Sequence, residues 1–131
     1  MSEIANIQVD VLVIDDDSVM RELVADWLDA AGYRVGKATD CQAGLEQACR
    51  VRPGLIVTDM VMPGASGATA IARLRQQHPG VRIIAISGHF NSGHGLSAEE
   101  ALEAGAARAF GKPVKRAEFI GAVAEILGPP E

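Results

Sequence analysis

Two hydrophobic periods alternate along this chain. Short runs of consecutive apolar residues are separated by longer stretches in which apolar residues return every three or four positions. The first pattern fits a strand buried on both faces, and the second fits an amphipathic helix. The runs predict strands at Val9–Ile14, Tyr33–Ala38, Leu55–Asp59, Val81–Ser87 and Ala107–Gly111. Helices are expected after a cap at Asp17 or Ser18 to Ala31, after Asp40 to Arg50, and over Ala68–Gln77, Ser97–Ala104 and Lys115–Leu127. In the first helix the stripe Val19, Met20, Leu23, Val24, Trp27 and Leu28 is expected to face the core, with Gly32 closing it. Pro53-Gly54 and His78-Pro79-Gly80 read as turns. Ser97 and Glu100 have capping-box spacing.

Strands that alternate with helices imply βαβ units, a parallel sheet and helices on both of its faces. The expected class is therefore a doubly wound α/β fold. Right-handed crossovers place every strand's C-terminal end on one edge. With 131 residues and no repeat or linker, one domain over 1–131 is expected, its core about 9–127.

Composition narrows the function. Hydrophobic residues make up 48% and aromatics only 4%, so the core must be Val, Ile, Leu and Ala. The formal net charge is -5 and no Lys/Arg cluster occurs, which argues against direct nucleic-acid binding. No stretch suits a membrane span, and the N-terminus lacks a signal-peptide pattern. A cytoplasmic location is expected. Cys41 and Cys49 stand eight positions apart in one predicted helix, about 12 Å along its axis. That is too far for a disulfide, so both are read as reduced and as packing residues.

The chemistry collects at the predicted edge. Asp15, Asp16 and Asp17 follow the first strand, Asp59 ends the third, Ser87 the fourth, and Lys112 follows the fifth. Asp59 alone reads equally well as a turn or cap residue. Together, however, these carboxylates repel one another unless a cation joins them. Oxygen ligands of this kind suit Mg²⁺ or Mn²⁺. A lysine and a hydroxyl at the rim suit a phosphoryl group, and a carboxylate can accept one.

On these residues the chain resembles a response-regulator receiver domain from Val9 to Leu127. The matching pieces are Asp15-Asp16, Asp59 before Met-Val-Met-Pro, Gly67, Ser87-Gly88 and Lys112-Pro113. The resemblance implies a flavodoxin-like (βα)5 sheet in strand order 2-1-3-4-5. It implies Asp59 as phosphoacceptor, with Asp16 holding Mg²⁺ directly, Asp15 through water and Val61 through its backbone carbonyl. Ser87 and Lys112 would meet the phosphoryl oxygens, and Pro113 would follow a cis bond. Asp17 takes no role beyond a cap or solvated charge. The donor would be a sensor histidine kinase or a histidine phosphotransfer protein, and a downstream protein would read the signal. A monomer or weak dimer is expected, acting on itself and not as an enzyme on a separate substrate. The chain is either a stand-alone receiver or a fragment.

Three departures from the family pattern follow. Ala109 stands where the family has a switch aromatic, and the next residue, Phe110, is expected to face the core. The segment Gly88–Gly95 is longer than usual, and its three glycines favour a mobile loop and a short fourth helix. Phe90 there reads as a substitute aromatic or, more simply, a locally packed side chain. His89 and Val61 occupy the positions that tune phosphoryl lifetime. Apolar Val61 cannot orient water, so slow self-dephosphorylation is expected, while His89 reads as a loop histidine more readily than as a general base. His78 and His94 have no metal-ligand neighbours in sequence, so no zinc site is expected.

Two rival readings remain. Asp15-x-Asp17-x-Val19 also fits the opening of a haloacid-dehalogenase-like phosphatase with Asp15 as nucleophile. Against it, no acidic pair follows Lys112, and the Asp59 stretch goes unexplained. The other rival is a receiver fold that binds partners without being phosphorylated.

Overall fold

All five apolar runs pair in one parallel sheet. The structure is a computed structural model that describes residues 9–59, 61–62, 65–87 and 98–129. The strands are β1 (Val11–Ile14), β2 (Val35–Ala38), β3 (Leu55–Asp59), β6 (Arg82–Ser87) and β7 (Arg108–Gly111). Between β3 and the third helix lie two further strands, β4 (Val61–Met62) and β5 (Ala65–Ser66), paired antiparallel. The helices are α1 (Ser18–Ala30), α2 (Cys41–Val51), α3 (Gly67–Gln77), α4 (Ala98–Ala104) and α5 (Arg116–Leu127). The sheet order is β2-β1-β3-β6-β7, which is the expected 2-1-3-4-5 among the five predicted strands. The β4–β5 hairpin was not expected, because two-residue strands carry no readable period.

The core lies in two layers, one on each face. Leu12, Ile14, Ile56, Ile83 and Ala85 meet Leu45, Ala48, Ile71, Leu74 and Ala101 of α2, α3 and α4. Val11, Val13, Val57, Ile84 and Ile86 meet Val24, Leu28, Phe119 and Val123 of α1 and α5. Successive strand residues point to opposite faces, so with both faces covered all of β1 and β3 is buried. Each buried Val, Leu or Ile is worth about 1.5–3 kcal/mol of transfer free energy. Phe119 centres the second layer, 6.2 Å from Trp27 and 6.0 Å from Phe110 between ring centroids. On the first, Gly44 marks the closest approach of α2 to β1. A Cβ there would stand 2.3 Å from Ile14 Cδ1.

The start and end of α1 follow from capping chemistry. Asp17 Oδ1 accepts from Val19 N at 3.0 Å and Met20 N at 3.4 Å. At the other end Gly32 N donates to Asp29 O and Tyr33 N to Leu28 O, and Gly32 has φ 102. This paired arrangement is the Schellman motif, which favours glycine at that position. It takes Tyr33 out of the predicted second strand. Tyr33 is buried instead, and its hydroxyl donates to Gly128 O at 2.9 Å.

The predicted α1 stripe holds only in part. Val24 and Leu28 are buried, but Val19 is 75% and Leu23 42% exposed. The apolar stripe is wider than the strip of sheet the helix covers. Cys41 and Cys49 are both free, Cys41 buried and Cys49 exposed. Gly88, His89, Phe90, His94 and the Ser97 cap lie outside the described residues. Among the described residues no helix is long and apolar enough to cross a membrane.

Candidate functional site

Register brings the strand ends together. Asp59 pairs with Ile86, and Ser87 with Gly111, so β3, β6 and β7 end side by side. β1 pairs β3 up to Ile14↔Thr58, and Asp15 N continues the ladder by donating to Ala38 O at 3.1 Å. Lys112 N donates to Ser87 O at 3.1 Å, which fixes the residue after β7 against the end of β6. Asp15, Asp59 and Ser87 are 4%, 5% and 1% exposed. Three polar side chains are thus buried at one edge of an otherwise apolar sheet, together with Thr58, whose Oγ1 donates to Asp59 O at 3.2 Å.

Carboxyl oxygens of Asp15, Asp16 and Asp59 lie within 4.8 Å of one another. Asp16 is exposed, so the cluster opens to solvent on its side. Lys112 Nζ stands 3.5 Å from Asp59 Oδ2, with its own side chain 27% exposed. The pKa of Asp15 is raised to about 6. Burial is the main cause, and the hydrogen bond from Asp17 N to Asp15 Oδ1 at 2.9 Å works against it. The Asp59 charge and a hydrogen bond to Asp59 also raise it, while Lys112 lowers it. This is an oxygen-only donor set, part buried and part open, holding excess negative charge. Such a set fits a hard divalent cation.

Asp17 stands apart from this cluster because its carboxylate caps α1. Val61 opens β4, two residues past Asp59. The Lys112–Pro113 bond is cis. Ala109 packs against the α2–α4 layer, while Phe110 packs edge-on to Phe119 in the other. One contact at the site was not read from the sequence. Arg21 Nη1 donates to Asp15 O at 2.8 Å, and the Arg21 side chain is 16% exposed. An arginine six positions after Asp15, on the first turns of α1, was the available signal.

Residues 11–124 match the response regulator receiver domain. The transcriptional regulatory protein FixJ of Azorhizobium caulinodans is 37% identical over 116 residues, 88% of this chain and 54% of FixJ. The chemotaxis protein CheY of Thermotoga maritima is 30% identical over 117 residues, 88% of this chain and 95% of CheY. The receiver domain of NtrX from Brucella abortus superposes with a TM-score of 0.81 at 30% identity, covering 90% of this chain and 98% of that domain. The chain spans about half the length of FixJ and 30% of a protein-glutamate methylesterase of Hahella chejuensis. The profile match, these relatives and the sheet order agree, and they do not favour a phosphatase built on Asp15: the chain belongs to the response regulator receiver domain family of two-component signalling.

Proposed function

We propose that Asp59 is the phosphoacceptor, taking a phosphoryl group from a phosphohistidine on a sensor histidine kinase or histidine phosphotransfer protein. The observation that carries this reading is the placement of Lys112 Nζ 3.5 Å from an Asp59 oxygen inside the acidic cluster. An Asp59 carboxylate oxygen attacks phosphorus, the P–N bond breaks, and the donor imidazole leaves and takes up a proton. An acyl phosphate forms on Asp59. Lys112 faces the charge that spreads over the equatorial oxygens. The Ser87 hydroxyl donates to one of those oxygens once the group, with about two negative charges, is in place.

Asp15, Asp16, Asp59 and the Val61 carbonyl would hold Mg²⁺ or Mn²⁺, which when bound supplies further neutralisation of phosphoryl charge. A buried pair of carboxylates beside one ammonium supports that donor set. Apolar Val61 offers no group to orient an attacking water, so the phosphorylated form decays slowly. Ala109, small and packed in the α2–α4 layer, takes the switch position without an aromatic, so a partner reads movement at Ser87 by another route. We place this single domain in the cytoplasm as a monomer or weak dimer, signalling to a downstream protein and not turning over an external substrate.

Intact mass spectrometry after incubation with Mg²⁺ and acetyl phosphate tests the reading. An acid-labile mass gain on the wild type that is absent from Asp59→Asn is expected. No gain, or an equal gain on the variant, overturns it.

A further inference from the structure

At the opposite edge of the sheet, where β3 and β6 begin, a cleft of about 680 Å³ opens beside the C-terminal ends of α2 and α3. Cys49, Arg52 and His78 are among its walls. Cys49 Sγ lies 3.9 Å from His78 Nε2. The local backbone holds both partners. His78 N donates to Leu74 O at 2.9 Å, and His78 O accepts from Val81 N at 3.1 Å. Arg52 N donates to Ala48 O at 2.9 Å, and Arg52 adopts φ 45, which ends α2 and turns the chain into Pro53.

The two cysteines of α2 therefore sit in opposite surroundings. Cys41 is buried, 6% exposed, and burial pushes its thiol pKa up. Cys49 is exposed and faces an imidazole.

We propose that Cys49 is a thiol-modification site, forming a mixed disulfide with an anionic low-molecular-weight disulfide bound in this cleft. The thiol gives its proton to His78 Nε2, and Sγ attacks one sulfur of the disulfide. That S–S bond breaks and a new one to Cys49 forms. The displaced thiolate takes the proton from the imidazolium. Cys49 is oxidised and the departing thiol is reduced, so no further oxidant is needed. The cleft volume lies in the range of small-molecule sites, about 300–1,000 Å³. The exposed Arg52 guanidinium gives a carboxylate-bearing disulfide its counter-charge.

The test uses glutathione disulfide as the anionic probe and bis(2-hydroxyethyl) disulfide as the neutral one, with peptide mapping of both cysteines. Cys49 should be modified at least about tenfold faster than Cys41. His78→Gln should slow Cys49 by about tenfold with both probes. Arg52→Gln should slow the anionic probe alone. The proposal is overturned if Cys49 reacts no faster than Cys41, if His78→Gln leaves its rate unchanged, or if Arg52→Gln affects both probes alike. Cys49→Ser should keep wild-type phosphorylation by acetyl phosphate, since the cleft and the acidic cluster are at opposite edges. A loss there would also count against a separate site.

Discussion

Lys112 Nζ and Asp59 Oδ2 stand 3.5 Å apart, joined across the ends of β7 and β3. This ion pair brings one positive charge to the acidic cluster. Replacing Lys112 with Ala leaves three carboxylates facing one another. Thermal or urea unfolding without metal should show a loss of about 1 kcal/mol, modest because Lys112 is partly solvated. Added Mg²⁺ should restore most of it by binding the folded state alone. Phosphorylation by acetyl phosphate should still fall at least about tenfold, since in the proposed mechanism Lys112 faces the transferring group.

Asp15 makes the metal-free protein less stable as pH rises. Its folded pKa of about 6 lies above the ordinary 3.8 of the unfolded chain. The folded state therefore holds the extra proton between these values, and stability falls as pH climbs through that window. The drop should be on the order of a few kcal/mol. Asp15→Asn should remove most of this slope and stabilise the metal-free protein at neutral pH. Urea titrations at stepped pH measure both effects, and an unchanged slope in the variant contradicts the assignment.

The same proton competes with a cation. Apparent Mg²⁺ affinity should rise between about pH 5 and 7 as Asp15 ionises, then level off. Calorimetric titration at several pH values checks the direction. In Asp15→Asn the rise should flatten and the affinity should be lower throughout.

Arg21 holds the backbone that carries the acidic pair. Arg21→Ala removes the donor to Asp15 O and should cost about 1 kcal/mol. Mg²⁺ affinity should fall severalfold while the pH at which it levels off stays in place. Arg21→Lys should recover only part, because a lysine presents one point charge where the guanidinium presents a fork.

Gly44→Ala tests the packing of α2 on β1. Alanine favours a helix by about 1 kcal/mol over glycine, but its Cβ meets Ile14 Cδ1 at 2.3 Å. A net loss of about 1–3 kcal/mol is expected from overpacking. Pairing it with Ile14→Val, which deletes that Cδ1, should recover part of the loss in a double-mutant cycle.

The sequence alone determined the order of the five main strands and five helices, the parallel sheet, and the gathering of Asp15, Asp16, Asp59, Ser87 and Lys112 at one of its edges. That set was legible because each residue directly ends or follows an apolar run, and parallel strands deliver such residues to one edge. Asp17 as a cap and Phe110 facing the core were legible for a similar local reason: the position after a strand and the alternation along it. The tertiary structure decided what depends on contacts between distant residues. Val19 and Leu23 share the apolar period of Val24 and Leu28, yet only the area covered by α1 separates exposed from buried. Tyr33 left its predicted strand because a helix-ending motif bonded its N–H to Leu28 O. The raised pKa of Asp15, the reach of Lys112 and Arg21 into the cluster, and the meeting of Cys49 with His78 join residues that no sequence period relates. They follow from strand register and helix packing, which exist only once the chain is folded.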